Sequence, residues 1–117
     1  MHTPAAHQSL DGRKFVALEP TDGGEVGPGT VFEYHEENGD IWASYSGGTV
    51  VRGFLVGTRD GNLLNFRYSQ LSQDRETSSG RCESEITTAV DGRLRLNETW
   101  SWETRPGSGV SVVEEVN

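Results

Sequence analysis

Residues 93–103 read RLRLNETWSWE, and their alternation decides the fold. Leu94, Leu96, Glu98, Trp100 and Trp102 fall on one side of an extended chain; Arg93, Arg95, Asn97, Thr99, Ser101 and Glu103 fall on the other. A period of two over this length is the mark of a half-buried β-strand, because successive side chains of a strand point to opposite faces. The apolar set is the core face, and it carries an acid at its centre. An ionised Glu98 in such a stripe requires a partner or water; otherwise its pKa rises until it is neutral.

Turn signals recur along the chain on both sides of this strand. They are Asp11-Gly12, Asp22-Gly23-Gly24, Asn38-Gly39, Gly47-Gly48, Asp60-Gly61, the polar stretch 72–76, Asp91-Gly92 and Pro106-Gly107. Asn-Gly and Asp-Gly supply the positive φ that tight hairpins need. Runs rich in Val, Thr, Tyr, Phe and Trp lie between them, giving expected strands near 13–19, 30–36, 40–46, 49–58, 63–70, 77–88, 93–103 and 109–116. Eight evenly spaced strands with no sustained helical period predict an all-β domain: a single small antiparallel up-and-down β-barrel with essentially no helix. The first and last strands would pair to close it, removing exposed edges. Residues 1–10 read as a flexible N-terminal tail and 11–117 as the barrel domain. The longest connection, residues 20–29 (PTDGGEVGPG), reads as a wide Gly-rich loop or as a lid over the barrel mouth.

An eight-stranded barrel is either plugged by its own side chains or holds one small ligand, so the inward residues matter most. Leu64, Phe66 and Tyr68 face inward on the fifth strand, and Cys82 and Ile86 on the sixth. In 49–58 two faces compete, Val50, Arg52, Phe54 and Val56 against Val51, Gly53, Leu55 and Gly57; the first set is bulkier, which would put Arg52 inside and leave Gly53 and Gly57 to ease curvature. In 40–46, Trp42 and Ser44 oppose Ile41, Ala43 and Tyr45. Tyr34, Tyr68 and Glu114 are further inward polar candidates, with Val110, Val112 and Glu114 sharing a face of the last strand. An interior Arg52–Glu98 pair has two readings: a structural ion pair, or a polar handle for a ligand in an aromatic-lined cavity. The candidate ligand-binding residues are Glu98, Arg52, Trp42, Tyr68, Trp100 and Trp102.

The 117-residue chain has a formal net charge of −8, an apolar fraction of 32% and 15 glycines. Leu, Ala and Met are too sparse for helical bundles. The acidic balance disfavours phosphate backbones and anionic lipid, so neither nucleic acid nor membrane is an expected partner. The single cysteine, Cys82, cannot form an internal disulfide and reads as a small core residue. The segment MHTPAAHQSL lacks the basic start and apolar run of a signal peptide, which gives a cytoplasmic expectation. His2, His7 and His35 lack ligand spacing, so no metal is expected. No G-x-S-x-G elbow, P-loop or dinucleotide fingerprint occurs, and no cofactor is expected. The sequon Asn97-Glu98-Thr99 lies mid-strand and reads as chance.

The stretch FEYHEENGDIWASYSGGTVVRGFLVG, followed by DGRLRLNETWSWE and SGVSVVEEV, resembles a family of short bacterial proteins that often bear the name N-acetylglutamate synthase. The resemblance covers most of the chain after about residue 10 and implies an acetyltransferase. Acyltransferases of that kind cradle the acetyl-CoA pyrophosphate at a helix N-terminus. The expected strands offer no such helix, and Arg105-Pro106-Gly107-Ser108-Gly109 reads as a hairpin turn. The expected barrel also looks like the calycin and avidin group, whose members mostly bind small apolar or amphipathic ligands, a likeness of fold alone. Three functions are compatible with these readings. In the first, the barrel binds a small apolar or amphipathic molecule, walled by Trp42, Tyr68, Trp100 and Trp102 and oriented by Glu98 and Arg52. In the second, a desolvated Glu98 performs acid–base chemistry, as in isomerases and cyclases, or the chain is the acetyltransferase its relatives' label names. In the third, a plugged barrel acts through its surface or as a homo-oligomer, although its outward faces read as charged and mixed with no large apolar patch.

Overall fold

Short hairpins force each strand to lie beside the one before it. The computed structural model describes residues 8–18 and 25–116 and contains eight strands in that order: β1 (Lys14–Ala17), β2 (Val31–Glu37), β3 (Asp40–Gly47), β4 (Val50–Asp60), β5 (Leu63–Ser72), β6 (Thr77–Thr88), β7 (Leu94–Trp102) and β8 (Ser108–Glu115). Every neighbouring pair is antiparallel, and β1 pairs with both β2 and β8, so the sheet is a closed barrel. No helix occurs among the described residues. The β2–β3 turn is made by Asn38 and Gly39 with φ of 52° and 84°, the left-handed pair a two-residue hairpin requires. Eight strands, their antiparallel order and the β1–β8 closure all match the expectation.

The two ends of the barrel differ. At the end holding the β2–β3, β4–β5 and β6–β7 turns, Leu10, Ile41, Leu64, Ile86, Leu94, Leu96 and Val113 are buried and fill the interior. Residues 8–10 are held there by polar contacts. Glu36 Oε1 accepts from the Leu10 amide at 3.0 Å and from Arg59 Nη1 at 2.7 Å, while the same Arg59 atom donates to the Gln8 carbonyl at 2.7 Å. Of the expected tail, 1–7 lie outside the described residues and 8–10 are packed on the barrel. Leu10→Ala is therefore expected to cost about 2–5 kcal/mol, the range for truncating a fully buried leucine, measured by urea denaturation. A loss below about 0.5 kcal/mol, as for an exposed site, would mean that this segment is only loosely attached.

Three expectations about facing are corrected. The ladder shifts register between Tyr45 and Gly47 on β3 and between Val50 and Arg52 on β4. A bulge adds one residue and reverses the parity of every residue beyond it. Val50 is therefore buried, but beyond the bulge it is Gly53 and Leu55 that face inward, and Arg52, Phe54 and Val56 face solvent. On β3 the inward set is Ile41, Ala43 and Tyr45; Trp42 lies outside, stacked on His35 at 5.6 Å between centroids. On β8, Ser111 and Val113 take the inner side. Glu114 is covered on the outer side by Arg93 (3.0 Å) and Arg95 (2.5 Å). The reversal also exposes apolar surface that the sequence reading did not expect: Val56 is 65% and Phe54 59% accessible, beside Trp42 at 40%.

Candidate functional site

The open half of the barrel is built around Glu98. β7 projects this side chain inward, cross-strand from Ser84 on β6 and Ser111 on β8. Ser111 Oγ donates to Glu98 Oε1 at 2.8 Å. Burial pushes the Glu98 carboxyl up from 4.5 to about 7, and the Ser111 hydrogen bond works against the rise. Among the described residues, the fully buried Tyr34 hydroxyl and Ser84 Oγ have no hydrogen-bond partner. Cys82 also borders the space. Burial, then the nearby Glu98, push its thiol well above the ordinary range, so it is protonated and a poor nucleophile.

Aromatic rings form the walls. Trp100 meets Trp102 edge-on at 5.8 Å, Trp102 meets Tyr68 at 5.7 Å, and Phe32 stacks on Tyr45 at 4.6 Å. Their placement depends on glycines. Gly53 lies opposite Tyr45, Gly57 opposite Phe66, Gly80 opposite Tyr68 and Gly109 opposite Trp100 on the neighbouring strands. A Cβ at any of the four would come within 2.6 Å of a heavy atom, in each case with the facing aromatic residue among its neighbours. At Gly53, Gly80 and Gly109 the missing side chain leaves room for the Tyr45, Tyr68 and Trp100 rings against the neighbouring strand, whereas at Gly57 the close atoms are the Asn65 carbonyl and the Phe66 Cα and Cβ.

The mouth is crossed by residues from the β1–β2 connection, the segment read as a loop or a lid. Residues 20–24 of it lie outside the described residues. Glu25 and Val26 line the cavity, and Val26 packs on the core. Tyr45 Oη donates to Gln70 Oε1 at 2.7 Å, and Gln70 Nε2 donates to Glu25 Oε1 at 2.7 Å. Glu25 Oε2 lies 3.6 Å from Arg105 Nη2, and the Arg105 guanidinium sits 4.2 Å from the centroid of a Trp102 ring. The space enclosed under this strap is about 50 Å³, enough for a few waters.

Four of the six candidate residues from the sequence, Glu98, Tyr68, Trp100 and Trp102, meet in this cavity. Arg52 and Trp42 do not; both point outward, so the expected interior Arg52–Glu98 pair is absent. The sequence reading missed Tyr45, Gln70, Ser111 and Glu25. Gln70 continues the inward series 64, 66, 68 by two residues, so its signal was present. Ser111 and Tyr45 required the right parity on β8 and β3. Glu25 lies in a loop, where no periodicity marks it. Among the described residues no group of three or more His, Cys, Asp or Glu is placed to hold a metal ion.

A family model described as avidin-like protein matches residues 8–116. No curated protein and no solved structure matches the chain.

Proposed function

The chain belongs to the avidin-like protein family, and from that premise we propose that it binds a small amphipathic molecule in the open half of the barrel. The apolar body would lie against Trp100, Trp102 and Tyr68, and a neutral polar end would meet Glu98 and Ser111. One observation carries this reading: the barrel is packed solid at one end and, at the other, holds a buried carboxyl beneath aromatic walls. A purely structural core has no use for an acid with no cation beside it, whereas ligand sites combine apolar walls with a few placed polar groups. Drug-sized ligands occupy pockets of roughly 300–1,000 Å³, so a ligand of that size needs the side chains of Glu25 and Val26 at the mouth to move aside.

Because Trp100 and Trp102 both border the cavity, occupancy is expected to change tryptophan emission. Titration with a panel of amphipathic metabolites should give saturable changes that Trp102→Leu diminishes. A panel without any saturable change in emission or in native mass would count against the reading.

A second reading is favoured by the same carboxyl. An acid that titrates near 7 can give and take protons at neutral pH, so the site could support acid–base isomerisation or cyclisation of its ligand. The acetyltransferase reading has less support. Residues 103–107 form the connection into β8, Ser108 and Gly109 are already part of that strand, and the described chain has no helix terminus for a pyrophosphate.

A further inference from the structure

The outer wall of the barrel carries a feature that the cavity does not use. Strand register sets outward side chains side by side in rows: Arg52 in the row nearest the β5–β6 connection, then Phe54 beside Ser69, then Trp42, Val56, Arg67 and Arg81. Phe54 and Val56 lie mostly in solvent at the centre of this face. The outward positions of β4, β5 and β6 in these rows contain no Asp or Glu, although the chain has 18 acids and a net charge of −8. Arg67 and Arg81 stand directly opposite each other, an unfavourable arrangement for like charges. Seven of the ten basic side chains pair with a carboxylate. Arg52 and Arg81 do not: among the described residues neither guanidinium has a hydrogen bond or an ion pair. Arg67 has one, to Glu103 at 3.1 Å on the β7 margin, and both partners are exposed, so the pair is weak. Exposed apolar surface and two cations without an anion therefore share one acid-free face.

We propose that this face docks a short acidic segment of a partner protein, its apolar side chains against Phe54 and Val56 and its carboxylates on Arg52, Arg67 and Arg81. The charge is complementary, and guanidinium groups suit carboxylates because both are planar. The barrel is closed, so no strand edge is free to pair with the segment, and recognition falls to side chains. Size sets the kind of occupant. Four strands and three rows span roughly 14 Å on a side, on the order of 200 Å². A stable interface between folded proteins takes about 800 Å² from each partner, whereas an extended segment crosses this face in about four residues. A second copy is a poor occupant for another reason: two-fold pairing sets a patch against itself, which here would bring the arginines of both copies together. A nucleic acid strand is also disfavoured, because three arginines on a chain of net charge −8 cannot follow a phosphate backbone beyond the patch.

The test uses three fluorescein-labelled probes and anisotropy at low salt. One is a six-residue peptide with two leucines between pairs of glutamates; the second has lysines in place of the glutamates; the third is an oligothymidylate of equal length. The acidic peptide should bind saturably and weaken as salt is added, and the lysine peptide should not bind. Arg52→Ala and Arg81→Ala should each weaken the acidic peptide by about fivefold, the upper end for an exposed ion pair. Phe54→Ala should weaken it by about tenfold, as for an interface anchor. Lys14→Ala, which removes an exposed cation on β1, should leave it unchanged. All four positions are on the outer wall, and circular dichroism checks that each variant is folded. No saturable binding of the acidic peptide would overturn the proposal, as would binding that the lysine peptide matches or that the Arg52, Arg81 and Phe54 variants leave unchanged. Tighter binding of the oligothymidylate with the same arginine dependence would overturn it in favour of a nucleic acid partner.

Discussion

At about pH 8, Glu98→Gln is expected to unfold at higher urea than the parent, with a gain of about 3 kcal/mol, and the gain is expected to disappear at pH 4.5 and below. The sign comes from the carboxyl's two environments. In the unfolded chain it titrates at 4.5; in the barrel, burial moves this to about 7. Below 4.5 it is neutral in both states and folding carries no penalty. Between 4.5 and 7 the unfolded chain releases the proton and the folded chain keeps it, so stability falls as pH rises. Above 7 the folded protein holds a desolvated anion and the full penalty applies. The gap between the two midpoints corresponds to about 3 kcal/mol at roughly 1.4 kcal/mol per pH unit. Glutamine has the same shape, stays neutral throughout, and can still accept from Ser111. The urea midpoints of parent and variant should diverge between about pH 5 and pH 7; midpoints that run parallel would show that Glu98 is solvated.

Gly57→Ala is expected to be among the most destabilising single changes in the barrel, costing about 3 kcal/mol or more, at the upper end of overpacking penalties. A Cβ at this position would lie 2.0 Å from the Asn65 carbonyl oxygen and 2.5 Å from the Phe66 Cα. Both are backbone atoms of β5, fixed in the ladder, and a rotamer change cannot relieve them. Gly53→Ala makes a useful contrast. Its nearest obstacles are ring atoms of Tyr45, the closest at 2.2 Å. That ring can swing, at the cost of moving the hydroxyl that holds Gln70, so Gly53→Ala should lose less stability and more ligand affinity. Chemical denaturation and ligand titration of both variants separate the two effects. Equal losses of stability would contradict the distinction between a backbone and a side-chain obstacle.

The fold was legible because its determinants are local. The alternation in residues 93–103 names a strand and its buried face without knowledge of its neighbours. Asn38-Gly39 and Gly47-Gly48 state where the chain reverses. The features that were not legible depend on counting residues across two strands. In 49–58 bulk pointed the wrong way, because the extra residue between Val50 and Arg52 shifts every side chain after it to the other face. The result hid the inward glycines, which look like weak strand residues until the aromatic ring opposite each one is known. The last strand failed in a related way: Glu114 sits in an apolar-looking row, and only Arg93 and Arg95, reaching across to it, reveal that the row faces outward. Within the site, Glu98 and the two indoles were readable from one strand. The Glu25 strap, carried by a loop with no period, was not.

The most direct measurement is a carbon-detected NMR titration of the Glu98 side-chain carboxyl in the folded protein. A midpoint about 7, moving when a ligand fills the cavity, is what an acid enclosed beneath Trp100 and Trp102 must give. A midpoint near 4.5, indifferent to any added ligand, would place that carboxyl in water and contradict the site on which the functional reading is built.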